Sequence, residues 1–227
     1  MHKKSPEQIE RQFIKYIATY NKTFKIESDP DLPDIFILIG DALKPFTKLE
    51  SIILPCFTDG AINLYNDLAQ ILIQHSPIQH ISIGNTPNEQ FLAFCDSLKT
   101  SQVTGLTFHD MNMGQDHLTI LEESLVNIPF RSLSFQNAFD SSQFDFFYNE
   151  FLTGYITSHL IMLNLDKTVG IDIDKVINDL PIINSLSFAY CNIDIAETLI
   201  KIGKANLPHL RLLNLSGNFG KKLFDLN

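Results

Sequence analysis

One frame of apolar residues, apolar-x-x-apolar-x-apolar, returns seven times along the chain. It reads Leu49-x-x-Ile52-x-Leu54, Ile78-x-x-Ile81-x-Ile83, Val103-x-x-Leu106-x-Phe108, Phe130-x-x-Leu133-x-Phe135, Leu160-x-x-Leu163-x-Leu165, Ile183-x-x-Leu186-x-Phe188 and Leu210-x-x-Leu213-x-Leu215. Successive starts lie 29, 25, 27, 30, 23 and 27 residues apart. A period of this size marks a repeat protein, in which one small supersecondary unit is stacked many times. The last two apolar positions are two apart, so they share one face of an extended strand. The first turns inward at the bend that leads into that strand. A strand this short is not stable alone; stacked in parallel, such strands share hydrogen bonds and bury one continuous core.

Between the frames the period changes. Residues 60–75 carry Leu64, Leu68, Ile71 and Leu72; residues 87–98 carry Phe91, Leu92, Cys95 and Leu98; residues 117–128 carry Leu118, Leu121, Leu125 and Ile128. Residues 142–155 carry Phe144, Phe147, Tyr148, Phe151 and Leu152; residues 173–180 carry Val176, Ile177 and Leu180; residues 195–203 carry Leu199, Ile200 and Ile202. These i, i+3, i+4 stripes predict amphipathic helices. Pro87, Asp116, Ser142 and Asp194 are the expected starts, because Pro suits the first helical position and Ser or Asp the N-cap. Strand, turn and helix in alternation predict an α/β fold. It is a right-handed solenoid with a parallel sheet on the concave side and helices on the convex side. A doubly wound sheet is the competing α/β arrangement, but it needs no common template in its strands.

Residues 1–48 read as an N-terminal cap, and 49–227 as the repeats. The cap has a helix over 6–20, with Ile9, Phe13, Ile14, Ile17 and Tyr20 on one face, a two-proline loop over 29–34, and an edge strand over Ile35-to-Ile39. At the other end no helical pattern follows Leu215. Either the chain is incomplete there, or a partner or a fold-back of residues 219–227 covers that edge.

Charge narrows the function classes. Seventeen Lys and Arg against 26 Asp and Glu give a formal net charge of −9. That balance disfavours nucleic acid, whose phosphates call for a basic face, and an anionic membrane surface. The N-terminus turns polar at once, and no apolar run approaches the roughly 20 residues that span a bilayer. Three cysteines, Cys56, Cys95 and Cys191, lie far apart without a CxxC spacing. They read as buried thiols in a reducing compartment rather than a disulfide framework or a zinc site.

The run Leu210-Arg-Leu-Leu-Asn-Leu-Ser-Gly-Asn218 matches the consensus LxxLxLxxN of leucine-rich repeats at every defined position. The other six frames keep the apolar positions but hold Phe57, Thr86, Met111, Ala138, Thr168 and Cys191 where the family has Asn. Over about 49–218 the chain resembles leucine-rich-repeat proteins, and its long helical repeats resemble the ribonuclease-inhibitor-like and cysteine-type members. Its style is similar to effectors that intracellular bacterial pathogens export into host cells. The resemblance implies a horseshoe that binds a protein on its concave sheet, without catalysis. The implied partner is a host protein or a companion bacterial effector enzyme, which binding regulates or inhibits. It implies export without a cleavable signal peptide, and a monomer apart from its partner. The alternative role in the family is substrate receptor of a ubiquitin ligase.

The outward strand positions follow from the frame. Its centre row holds Ile53, Ser82, Thr107, Ser134, Asn164, Ser187 and Asn214, mostly small and polar, as a solvent-facing sheet surface requires. Apart from Ile53, the residues of this row form the expected protein-binding face with His80, His109, Asp110, Arg131, Gln136, Met162, Asp166, Lys167, Tyr190 and Arg211. Tyr190, Arg131 and Arg211 are the expected anchors, since Tyr and Arg concentrate binding energy. No catalytic residue, metal ligand or cofactor is expected. His109 and Asp110 are adjacent and should diverge at the strand end, with no cysteine in a neighbouring frame at the same row. The chain also has no phosphate-binding glycine motif.

Overall fold

A computed structural model describes residues 23–25, 50–53, 78–125, 127–152 and 154–220. The fold is α/β, and the chain forms two compact units, Met1–Val103 and Thr104–Asn227.

In the first unit three strands run parallel: β1 (Thr23–Lys25), β2 (Ser51–Ile53) and β3 (His80–Ile83). Phe24 stands opposite Ile52 and Ile52 opposite Ile81, so the apolar frame sets the register. The strand beside β2 is therefore Thr23–Lys25, where the sequence predicts no strand. Asn21-x-x-Phe24-x-Ile26 fits the frame 28 residues before Leu49, except that Asn fills the first apolar position. The expected cap helix over 6–20, the strand over 35–39 and the helix over 60–75 lie outside the described residues.

Helix α1 (Asn88–Leu98) follows β3. Pro87 stands just ahead of it at the N-cap, not at its first helical position, and its carbonyl accepts the Phe91 N–H at 2.9 Å. Phe91, Phe94, Cys95 and Leu98 are buried, while Leu92, expected in the stripe, is outside the core. Phe94 completes the i, i+3, i+4, i+7 face in its stead.

The second unit holds β4 (Gly105–His109), β5 (Ser132–Gln136), β6 (Met162–Asn164), β7 (Ser185–Ser187) and β8 (Leu212–Asn214), all parallel. Leu106, Leu133, Leu163, Leu186 and Leu213 share one row, as the frame requires. The first four are buried, as are Phe108, Phe135, Leu165 and Phe188 two residues on. The alternation that hides these side chains turns the residues between them outward.

Helices α2 (Gln115–Leu125), α3 (Ser141–Phe146), α4 (Gly154–Thr157), α5 (Ile173–Asn178) and α6 (Ile195–Lys204) return the chain between strands. Asp172 and Asp194 cap α5 and α6, accepting from Lys175 N at 3.2 Å and Glu197 N at 3.0 Å. The cap of α3 is Asp140 rather than the expected Ser142: its carboxylate accepts Ser142 N at 2.9 Å, and Gln143 Oε1 accepts Asp140 N at 2.9 Å. This reciprocal pair satisfies two backbone donors at the start of the helix. The stripe expected over 142–155 does not continue as α-helix. Phe147–Phe151 form a π-helical turn, closed by Leu152 N to Phe147 O at 3.0 Å. It sits in the longest interval between frames, where one additional residue is absorbed within the helix. The turn brings Phe147 to 4.6 Å from Phe135 and 4.7 Å from Phe139 between ring centroids, the centre of an aromatic cluster that Phe144 and Phe151 complete.

Candidate functional site: the polar sheet face of the second unit

At the eighth position of five successive frames the backbone turns left-handed: Asp110 (φ 51), Asn137 (φ 52), Lys167 (φ 60), Tyr190 (φ 58) and Gly217 (φ 71). This turn takes the chain out of the strand. Four of these residues donate their N–H to the seventh-position carbonyl of the following frame: Asp110 to Gln136 (2.9 Å), Asn137 to Asp166 (2.9 Å), Lys167 to Ala189 (2.8 Å) and Tyr190 to Ser216 (2.8 Å). The ladder thus continues beyond the strands and fixes the eighth side chains along one rim.

The ninth position lies beneath that rim. Asn218 Oδ1 accepts from Cys191 N at 2.8 Å and Ile193 N at 3.3 Å; its Nδ2 donates to Phe188 O at 2.6 Å and Leu215 O at 3.0 Å. Cys191 supplies part of the same function one frame earlier, its Sγ donating to Leu165 O at 3.1 Å. Thr168, one frame earlier again, is buried with no protein partner for its hydroxyl among the described residues.

On the face itself, Thr107, Ser134, Asn164, Ser187 and Asn214 stand in register. Their side chains are tied to one another and to the seventh position. Ser187 donates to Asp166 Oδ1 at 2.5 Å, and Asn214 Nδ2 donates to Ser187 Oγ at 3.0 Å. Ser216 Oγ donates to Asn214 Oδ1 at 2.7 Å, and Asp166 Oδ1 also accepts Ala189 N at 2.8 Å. Gln136 Nε2 donates to Ser134 Oγ at 3.0 Å. Ser134 and Ser82 were expected to face solvent, and both are buried. A serine is too short to rise above its neighbours, and the Gln136 amide reaches Ser134, so that hydroxyl supports the face instead of offering contact.

Tyr190, an expected anchor, is 62% exposed. Its ring lies against Gly217, where an added Cβ would come within 2.2 Å of it, so the glycine makes room for the aromatic side chain. Arg131 and Arg211 are exposed at the second position of their frames. Met162 is exposed in the third-position row, and so is Leu212, 63% exposed and not among the expected contact residues. The signal for Leu212 was its place in the frame, two residues before Asn214. His80 and Ser82 belong to the first unit; there burial holds the His80 imidazole below its usual pKa.

His109 Nδ1 lies 3.9 Å from Asp110 Oδ2, nearer than divergence at the strand end implied, and Asp110 Oδ1 accepts Asn137 Nδ2 at 3.0 Å. Cys95 and Cys191 are buried, and burial pushes the Cys191 thiol up to about 11 and the Cys95 thiol well above its usual value. Cys56 lies outside the described residues. Among the described residues no three His, Cys, Asp or Glu side chains are grouped to hold a metal ion, and no helix is long and apolar enough to cross a membrane. No protein-family model matches the chain, and no curated protein matches it in sequence.

Proposed function

We propose that the chain is a leucine-rich-repeat solenoid and a non-enzymatic recognition module, binding a protein partner on the concave, polar face of its sheet. The observation that carries the reading is the hydrogen-bonded row Asp166–Ser187–Asn214–Ser216. These side chains are ordered before any partner arrives, so binding loses little rotamer freedom there. The exposed Tyr190, Met162 and Leu212 stand around that rigid polar surface, the arrangement of a few anchors among near-neutral contacts that protein interfaces favour. The left-handed turn at one fixed frame position supports the repeat assignment. The partner we favour is a host protein or a companion effector enzyme, regulated or inhibited by being covered, with the chain exported into the host cell.

Immobilised chain should capture one such partner from host lysate or from co-exported proteins. The double variant Tyr190→Ala with Arg211→Ala should lose it, while the helix variant Glu123→Lys should keep it. Capture unchanged by the first variant and lost with the second would place recognition elsewhere.

A further inference from the structure

Charge is distributed unevenly over the second unit. The second, third and fifth positions of its five frames hold no Asp or Glu, although the chain carries a net charge of −9. The acids of this unit sit mainly on the helices and their caps, as do Asp116, Glu123, Asp174 and Glu197. The strand-entry rim carries two exposed cations, Arg131 and Arg211, and neither has an ion-pair partner among the described residues. Between and beside them in the next row stand the exposed Met162 and Leu212, separated by Ser185. Asp166 is the nearest acid along the strands, five positions on, or about 16 Å away. Its carboxylate is already engaged by the Ser187 hydroxyl and the Ala189 N–H. That distance exceeds the roughly 8 Å over which charges are screened at physiological salt.

We propose that this rim docks an extended acidic segment of a partner protein, with carboxylates on Arg131 and Arg211 and an apolar side chain against Met162. The inference rests on the recognition reading above and names the partner's chemistry. Three strand spacings separate the two arginines, about 14 Å. An extended chain covers nearly that distance in four residues, at about 3.3 Å each. The matching pattern is therefore acid-x-apolar-x-acid, with the apolar residue above the Met162–Ser185 region. Arginine forks take carboxylates in bidentate fashion, and an interface centre that excludes water strengthens such pairs. The acidic helices repel the same segment, so it is steered to this face.

The probe is a fluorescent peptide containing Glu-Ser-Leu-Ser-Glu, read by anisotropy against the intact chain. Saturable binding is expected, about tenfold weaker with Arg131→Gln or with Arg211→Gln and weakened again as salt rises. Replacing both Glu of the peptide by Gln should abolish it. Glu123→Lys should leave it within twofold, and melting curves of all variants should coincide, because the exchanged side chains have no described ion pairs to lose. No saturable binding, equal affinity for the Gln peptide, or indifference to both arginine variants would each overturn the proposal. If the peptide fails while Tyr190→Ala with Arg211→Ala still loses a captured partner, the acidic segment is refuted and the recognition reading stands. If the captured partner is lost only with Glu123→Lys, the recognition reading itself fails.

Discussion

Lys167 holds a left-handed backbone that an L side chain adopts at a cost of about 1 kcal/mol. It stays there because its N–H is needed by the Ala189 carbonyl. Lys167→Gly keeps that hydrogen bond and relieves the strain, so it should raise unfolding free energy by up to about 1 kcal/mol, read from the urea midpoint at unchanged slope. The ninth position gives a sharper contrast. Asn218→Ala would strand two backbone N–H groups and two carbonyls and should cost about 2–3 kcal/mol. Thr168→Val, at the equivalent place, removes a buried hydroxyl with no protein partner among the described residues, and should be neutral or stabilising by about 1 kcal/mol. If both substitutions cost the same, the asymmetry between these two turns is wrong.

Among the elements, the aromatic cluster around the π-helical turn concentrates the packing of the second unit. Phe135 is fully buried and stacks at 5.0 Å on Phe108, with Phe139, Phe147 and Phe151 within 6.3 Å. Phe135→Ala should lower stability by about 3–5 kcal/mol, measured by equilibrium urea unfolding; a loss under 1 kcal/mol would mean the cluster closes over the gap. The strands of this unit were legible because each apolar pair is short and in phase, and buried in all but the last strand. The strand at Thr23–Lys25 was not, because Asn21 breaks the template where the eye tests it first, and Ile35-to-Ile39 offered a stronger apolar run. The left-handed rim was illegible for a different reason. Lys and Tyr do not announce such a turn; hydrogen bonds from the next frame impose it. On the candidate face the row of small polar residues was readable, but the burial of Ser82 and Ser134 was not, since it depends on the length of neighbouring side chains.

For the whole molecule, alkaline pH is the informative variable. Burial raises the Cys191 thiol from its ordinary 9.0 to about 11. The unfolded chain therefore ionises first, and stability is full below pH 9 and declines as pH rises toward 11. The loss from this group approaches about 2–3 kcal/mol. Burial, with Asp179 alongside, also raises the Tyr148 phenol, whose single O–H is shared between Asp179 and the Lys175 carbonyl, so the decline steepens above pH 10. Cys191→Val should flatten the first part of that profile in urea titrations run at several pH values. A wild-type stability that does not fall between pH 9 and 11 would contradict the buried thiol.

The rim ladder has a consequence for how such a chain changes length. Each of the first four left-handed turns asks its successor for a carbonyl at a fixed place in the frame, and asks nothing of the distance travelled through the helix between. Segments of 30 and 23 residues satisfy the same demand side by side. Excising 160–182 would therefore splice the Phe130 module directly to the Ile183 module, with Asn137 finding Ala189 where it had found Asp166. Whole modules are the currency in which a lineage could shorten or extend this array, and fractions of a module would jam it.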